Sequence, residues 1–265
     1  MITSLKNDRV RLVRALQERR RIRQRERRFV IEGLRLCEEA TRAGAIPHFA
    51  FFTDEVHEDP RARSVMDAWT QAGVVCELVS AAVMATCSST ETPQGLLAVV
   101  PLPNLSRPTQ PTLTLILDRL RDPGNLGALL RTALAAGVDQ VLLAPGTVDA
   151  TNPKAVRAAM GAHFRLPVAA LEWPAIQQAT DGCHVYLAEV GGAIPYTEVN
   201  WQEPVALIIG GEAAGAGEQA RALADAQIVI PLLGDVESLN TAAAAAVLLF
   251  EAVRQRRAAG CHLLK

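Results

Sequence analysis

The chain is poor in the residues that most often announce a chemistry. Aromatics make up 4% of its 265 residues, which argues against a platform on which single-stranded bases stack in succession. Cysteines number five, at 37, 76, 87, 183 and 261, and no two form a C-x-x-C pair. An odd count without paired spacing predicts reduced thiols in a cytoplasmic protein and no zinc site. The five histidines, at 48, 57, 163, 184 and 262, do not cluster, so no metal-ligand set is legible. His163, beside Phe164 and Arg165, is expected to be structural. Long apolar runs are missing too. The run from Ala242 to Phe250 has nine residues, against the ~20 of a membrane span. Met1 to Arg11 lacks the apolar stretch of a secretory signal. With 49% apolar and 21% charged residues, the chain has enough core for one large domain or two medium ones. Disordered, collagen-like and disulfide-scaffold classes are excluded.

What is abundant is arginine, in one place. The net charge is -1, yet residues 1–28 hold eleven basic groups and three acidic ones, a net of +8. Ten of the eleven are arginines, whose planar forks suit bidentate contact with phosphate better than lysine does. The segment is predicted to be a cationic arm for a polyanion, with Arg9, Arg19, Arg20, Arg21 and Arg28 as contacts. A solubilising helix face is the plainer alternative. An anionic membrane is disfavoured, because little apolar material interleaves to insert.

Pro101 to Pro111 contains four prolines and predicts a linker over 105–111. Before it, 1–104, short strands are expected at Phe29–Ile31, Phe49–Thr53, Val74–Val79 and Leu96–Val100. Helices are expected at Gly33–Ala43, Arg61–Ala72 and Ala81–Cys87. After it, 112–265, strands are expected at Leu113–Leu117, Gln140–Leu143, Val168–Ala170, Val185–Glu189, Val205–Ile209 and Ile228–Pro231. The first and fifth of these are near-continuous apolar runs, as in parallel strands covered on both faces. Helices between them start near Asn125, Pro153, Pro174, Gly217 and Leu239. Both parts are α/β.

Three loops of the second part follow strands, where open α/β sheets place ligands. In the first, after Leu117, Asn125 is expected to cap a helix. Arg131, four residues after Gly127, would lean back toward the helix N-terminus and complete an anion site. In the second, Ile208 and Ile209 run into Gly210-Gly-Glu212, then Gly215 and Gly217. Gly215, Gly217 and Ala220 match a dinucleotide pattern, but too little chain follows to complete such a fold. In the third, Ser238, Asn240 and Thr241 stand at the mouth of an alanine-rich helix. The late arginines Arg254, Arg256 and Arg257 are expected to complement that helix's dipole.

In this order the loops resemble the SpoU (TrmH-like) branch of the SPOUT RNA methyltransferases, over essentially all of residues 112–258. The motif N-x-G-x-x-x-R is matched by Asn125, Gly127 and Arg131. A strand ending in G-x-E is matched by Ile209-Gly-Gly-Glu212. The third motif is matched by Ile230-Pro-Leu-Leu-Gly-Asp-Val-Glu-Ser-Leu-Asn240. Asn152 to Gly161, with Arg157, and Leu166-Pro167 also look like the family. Ala159 departs from a common serine, and Thr241 with Ala243 departs from the usual small β-branched pair. In the first part, Arg28 to Gly33 and Pro93 to Val99 are similar to the family's substrate-binding domain, which resembles small RNA-binding ribosomal proteins.

The resemblance implies a parallel sheet flanked by helices with a C-terminal trefoil knot. It implies methyl transfer from S-adenosylmethionine to a ribose 2′-hydroxyl of structured RNA, ribosomal RNA before tRNA, in a homodimer without metal. Asn125, Arg131, Glu212, Ser238 and Asn240 would be catalytic. Gly211, Ile230, Leu232, Leu239 and Asn240 would bind the cofactor. Arginine is not deprotonated in proteins, so Arg131 is expected to clamp the target phosphate and steady the alkoxide, leaving the base open among solvent, phosphate and Glu212. A non-catalytic RNA-binding or ribosome-assembly protein of the same fold is the alternative.

Overall fold

The computed structural model describes residues 1–212 and 215–260. Among them the chain forms two compact units. One comprises Met1–Asn104 with Thr151–Phe164, the other Leu105–Ala150 with Arg165 onward. The elements up to the linker are α1 (Asp8–Glu18), α2 (Arg20–Glu26), β1 (Arg28–Glu32), α3 (Leu34–Arg42), β2 (Phe49–Phe52), α4 (Asp54–His57), α5 (Pro60–Gln71), β3 (Val75–Leu78), α6 (Ala81–Cys87) and β4 (Leu96–Pro101). After it come β5 (Leu113–Asp118), α7 (Pro123–Ala135), β6 (Gln140–Leu143), α8 (Pro153–Ala159), β7 (Val168–Ala170), α9 (Trp173–Ala179), β8 (His184–Ala188), β9 (Ile194–Pro195), β10 (Val205–Gly210), α10 (Glu218–Leu223), β11 (Ala226–Val229) and α11 (Thr241–Ala258).

The first unit is built on a four-stranded sheet of order β1-β4-β2-β3, antiparallel except for the β2–β3 pair. Alternation along the strands splits its core into two layers. Phe29 and Ile31 of β1 and Leu96, Ala98 and Val100 of β4 face one side, with Trp69, Val156 and Phe164. Val30, Leu97 and Val99 face the other. That second layer is closed by Val10, Val13 and Leu16 of α1, all fully buried. The basic segment is therefore no appended arm but part of the unit's core. Its apolar residues recur every third position, a helical stripe that the charges around it conceal. Arg23 is buried as well. Its guanidinium donates to the carbonyls of Leu16 (2.8 Å) and Gln17 (3.3 Å) and to Thr151 Oγ1 (3.2 Å). Of the arm's eleven cations, this one ties helices rather than facing solvent. His163 is buried beside Phe29, ring centroids 5.9 Å apart, a packing position.

The second unit is a seven-stranded sheet of order β7-β6-β5-β10-β8-β11-β9, parallel at every pairing. Its centre is β5 and β10, in register from Leu113↔Val205 to Asp118↔Gly210. Every residue of β5 is buried, as are Val205 to Ile209. Those continuous apolar runs are what helices on both faces require. The two-residue β9 at the edge carries no periodicity, and the sequence does not announce it. Helices α7 and α11 pack on one another. Arg256 does not merely complement the helix dipole. It is buried, donating to the carbonyls of Trp201 (2.8 Å), Thr112 (2.6 Å) and Glu203 (3.2 Å), and so ties the end of α11 to the start of β5. Arg254 instead pairs with Glu251 on its own helix.

Deletion of residues 1–28 would thus remove core as well as charge. Leu16→Ala is expected to cost about 2–5 kcal/mol of unfolding free energy, and Arg20→Gln, at an exposed position, less than about 0.5 kcal/mol. Urea unfolding of the two variants measures the contrast.

Candidate active site

Ligands of open parallel sheets bind where strand order reverses, beyond the carboxyl ends of the strands. Here the chain runs from β5 outward through β6 to β7, then crosses to the other side of the sheet at β8, and β10 later fills the place between β8 and β5. A cavity of about 720 Å³ opens past the ends of β8, β10 and β11, within the ~300–1,000 Å³ of small-molecule sites. Gly211, Glu212, Ile230, Leu232, Ser238, Leu239 and Asn240 all line it. Its wall is otherwise built from small and aliphatic residues such as Ala188, Gly215, Ala216 and Ala244.

The turn after β10 needs its glycines because backbone packs on backbone. A methyl on Gly211 would stand 2.4 Å from the Arg119 carbonyl oxygen, and one on Gly210 would stand 2.5 Å from the Ala216 nitrogen. Arg119 itself turns the chain after β5 with a positive φ of 59°, a strained geometry for a side-chain-bearing residue. The Gly217 N–H donates to Asp118 Oδ2 at 2.6 Å, joining the two loops from below. Burial pushes the Asp118 carboxyl above its ordinary range, against the pull of that N–H and of Arg119.

Above that join, three loops meet through one amide. Asn125 Nδ2 donates to Glu212 Oε1 at 2.8 Å, and Asn125 Oδ1 accepts from Asn240 Nδ2 at 3.2 Å. Asn240 Oδ1 accepts from the N–H groups of Ala242 (2.9 Å) and Ala243 (3.3 Å), capping α11. The Arg121 N–H adds a bond to Glu212 Oε2 at 3.3 Å. Burial alone would raise the Glu212 carboxyl. The Asn125 amide and the backbone N–H groups of Glu212, Arg121 and Asp122 outweigh it and hold the group below its ordinary range.

Two local expectations are corrected. Asn125 does not cap α7. Asp122 does, its Oδ1 accepting from the Asn125 N–H at 2.8 Å, with Pro123 in the first turn. That carboxylate caps the helix N-terminus, and the Asn125 side chain is released to the loops. Arg131 is exposed on α7 and makes no hydrogen bond or ion pair among the described residues. The third helix starts at Thr241, one residue after its cap Asn240, rather than at Leu239.

The candidate RNA contacts lie in the first unit and differ in availability. Arg19, Arg20 and Arg21 are exposed at the α1–α2 junction. Arg28 is half-buried. Arg9 is paired with Glu77, and its guanidinium carbon sits 5.2 Å from the Phe49 ring centroid. Arg157 donates to Ser89 Oγ. Two charged cavity residues escaped the sequence reading, Glu189 and Arg221, which pair with each other. The signal for Glu189 was its place at the end of a parallel strand. Arg221 had none. Among the described residues no group of His, Cys, Asp or Glu could hold a metal ion, and no helix is long and apolar enough to cross a membrane.

Residues 112–250 match the model of the SpoU rRNA Methylase family, and residues 7–98 match the MRM3-like substrate binding domain. The chain is 36% identical over 251 residues to the 23S rRNA (guanosine(2553)-2'-O)-methyltransferase RlmP of Bacillus subtilis, spanning 94% of this chain and 97% of that protein. It is 32% identical over 308 residues to human mitochondrial rRNA methyltransferase 3, spanning 92% and 72%. The crystal structure of an AdoMet-bound rRNA methyltransferase from Sinorhizobium meliloti superposes with a TM-score of 0.84 at 31% identity, over 100% of this chain and 98% of that one.

The depressed Glu212 carboxyl carries a pH signature. A group lowered on folding contributes stability that is present above its ordinary value of ~4.3 and lost as pH falls through the folded value. The melting advantage of the wild type over Glu212→Gln is therefore expected to shrink as pH drops from about 6 to about 3. Differential scanning calorimetry across that range checks it, and a constant difference would dissociate Glu212 from the loop clamp.

Proposed function

The chain belongs to the SpoU rRNA methylase family, and from that premise we infer that it methylates a ribose 2′-hydroxyl of ribosomal RNA with S-adenosylmethionine as donor. The observation that carries this reading is the convergence of three distant loops, through Asn125, Glu212 and Asn240, on one cavity.

The cavity fits the donor on its own terms. Ile230, Leu232 and Leu239 offer aliphatic surface for a flat base, the small wall at Gly211 and Ala244 leaves room beside it, and charged groups stand at its margin. When bound, S-adenosylmethionine supplies a methyl group already activated as a sulfonium, so the protein needs no metal to make it electrophilic. The chain's task is to align a weak nucleophile and accommodate the charge that appears as its proton leaves. We assign Arg131 to the target phosphate and the developing alkoxide. A guanidinium keeps its proton, and a carboxyl held below its ordinary range is a weak base. Glu212 accordingly positions Asn125, and the proton passes to solvent or to the RNA phosphate. Asn125 and Ser238 orient the ribose or the arginine.

Arg131 meets no partner among the described residues, and the neighbouring α11 exposes Val247 and Phe250. Both features support a homodimer in which Arg131 serves the partner subunit's site. Arg19, Arg20, Arg21, Arg28 and Arg157 of the first unit supply phosphate contacts. A C-terminal trefoil knot accompanies the reading, supported by the way separate segments enclose one cavity. We place the reaction in the cytoplasm, in keeping with the free thiols of Cys37, Cys76, Cys87 and Cys183.

Arg131→Ala is expected to abolish methyl transfer to ribosomal RNA while S-adenosylhomocysteine affinity stays within about three-fold. Mass-spectrometric mapping of ribose methylation and calorimetry read the two. Transfer restored in a mixture of Arg131→Ala and Asn240→Ala chains would place the arginine across subunits. Transfer to tRNA but not ribosomal RNA would overturn the substrate. Replacing Arg19, Arg20 and Arg21 by Gln should lower the log–log salt slope of RNA binding by about 2–3, and an unchanged slope removes them from the interface.

A further inference from the structure

Among the described residues, three charged side chains line the cavity wall: Glu189, Glu212 and Arg221. Glu212 is committed to Asn125 and the backbone of the loop after β5. The other two are paired with each other. Glu189 follows the last residue of β8. Its N–H donates to the Ile228 carbonyl at 2.9 Å, and its carbonyl accepts from the Gly192 N–H at 3.1 Å, which fixes its backbone. Arg221 projects from α10, whose first turn begins at the glycine turn. The two charged heads meet over Gly215. A methyl placed on that glycine would stand 3.6 Å from Glu189 Oε1 and 3.9 Å from Arg221 Nη2. The missing side chain leaves both heads open toward the cavity.

The pair is not explained by stability. Its side chains are 21% and 42% exposed for Glu189 and Arg221, and ion pairs so open to water contribute little to folding. Arg221 is also the one cation among the described residues that line the cavity. Among the described residues of this chain that line the cavity, a ligand carboxylate meets no other cationic side chain.

Building on the S-adenosylmethionine reading above, we propose that Glu189 and Arg221 together recognise the amino-acid end of the methyl donor. That end carries an ammonium and a carboxylate on one carbon. Glu189 accepts from the ammonium, and the Arg221 fork donates to the carboxylate, so that four charges alternate in sign around a ring. Each protein group keeps an ionic partner throughout, which avoids the cost of stripping water from an uncompensated charge. The planar guanidinium gives the carboxylate two parallel bonds, a geometry lysine does not reproduce. The nucleoside end has no charge at neutral pH and is left to Ile230, Leu232 and Leu239. Specificity for the intact donor over its degraded nucleoside thus lies at the Glu189–Arg221 margin.

Isothermal calorimetry on the full chain compares three probes. S-adenosylhomocysteine carries both charges, decarboxylated S-adenosylmethionine lacks the carboxylate, and 5′-methylthioadenosine lacks the whole amino-acid end. Arg221→Ala is expected to weaken S-adenosylhomocysteine about ten-fold or more and to leave the other two within about two-fold, with Arg221→Lys recovering part of the loss. Glu189→Gln is expected to weaken both ammonium-bearing probes and spare 5′-methylthioadenosine. Retained 5′-methylthioadenosine binding also shows that each variant's pocket is folded. Equal loss for all three probes, or no loss for any, overturns the proposal. A wild-type chain that binds none of them overturns the S-adenosylmethionine reading itself.

Discussion

A single amide side chain holds three loops in place. Asn125 gives its two N–H groups' side to the Glu212 carboxylate and its oxygen to Asn240. Neither end of that arrangement is free to reverse. The Asn240 oxygen is already spent on capping α11, so its nitrogen must face Asn125. The Asn125 nitrogen must then face a group that only accepts, and an ionised Glu212 is such a group. Depression of the Glu212 carboxyl keeps it ionised and the polarity of the chain of bonds fixed. Residues far apart in sequence acquire one defined relative position without a metal ligand or a disulfide among them.

The same economy appears in the two buried arginines. Arg23 gathers carbonyls from the end of α1, and Arg256 gathers carbonyls from the segments around β5 and β10. A guanidinium has five donors in a fixed fork, so it can satisfy several backbone acceptors that helix and strand ends leave unpaired. Both arginines belong to runs of cations that read as surface charge. In each run one member is withdrawn to fasten the fold, while its neighbours remain in solvent.

Legibility followed the range of the interaction. β5 and β10 were plain in the sequence because a strand covered on both faces is apolar throughout. The site loops were plain because glycines and a carboxylate at a strand's end have few structural uses together. The cap of α7 was misread although its signal was present: Asp122 followed by Pro123 is the stronger start, since proline suits the first helical turn. The core role of α1 was hidden by composition, for Val10, Val13 and Leu16 stand among arginines. The pairing of Glu189 with Arg221 lies beyond sequence reasoning, because it exists only once β8 and α10 bring them over Gly215. Burial of Arg23 and Arg256 is likewise a tertiary property that no local pattern encodes.

The first unit is not contiguous in the gene. Val156 and Phe164 pack in its core, yet they are translated after β5, α7 and β6 of the second unit. A nascent chain that has just completed β4 has α3 and α5 on that side of its sheet but still lacks Val156 and Phe164. Vectorial synthesis would ordinarily let an N-terminal module finish folding first. Here its closure waits for a later stretch of the message, so the two units mature on overlapping schedules. Recombination that grafted either unit onto another protein would need three crossover points instead of one.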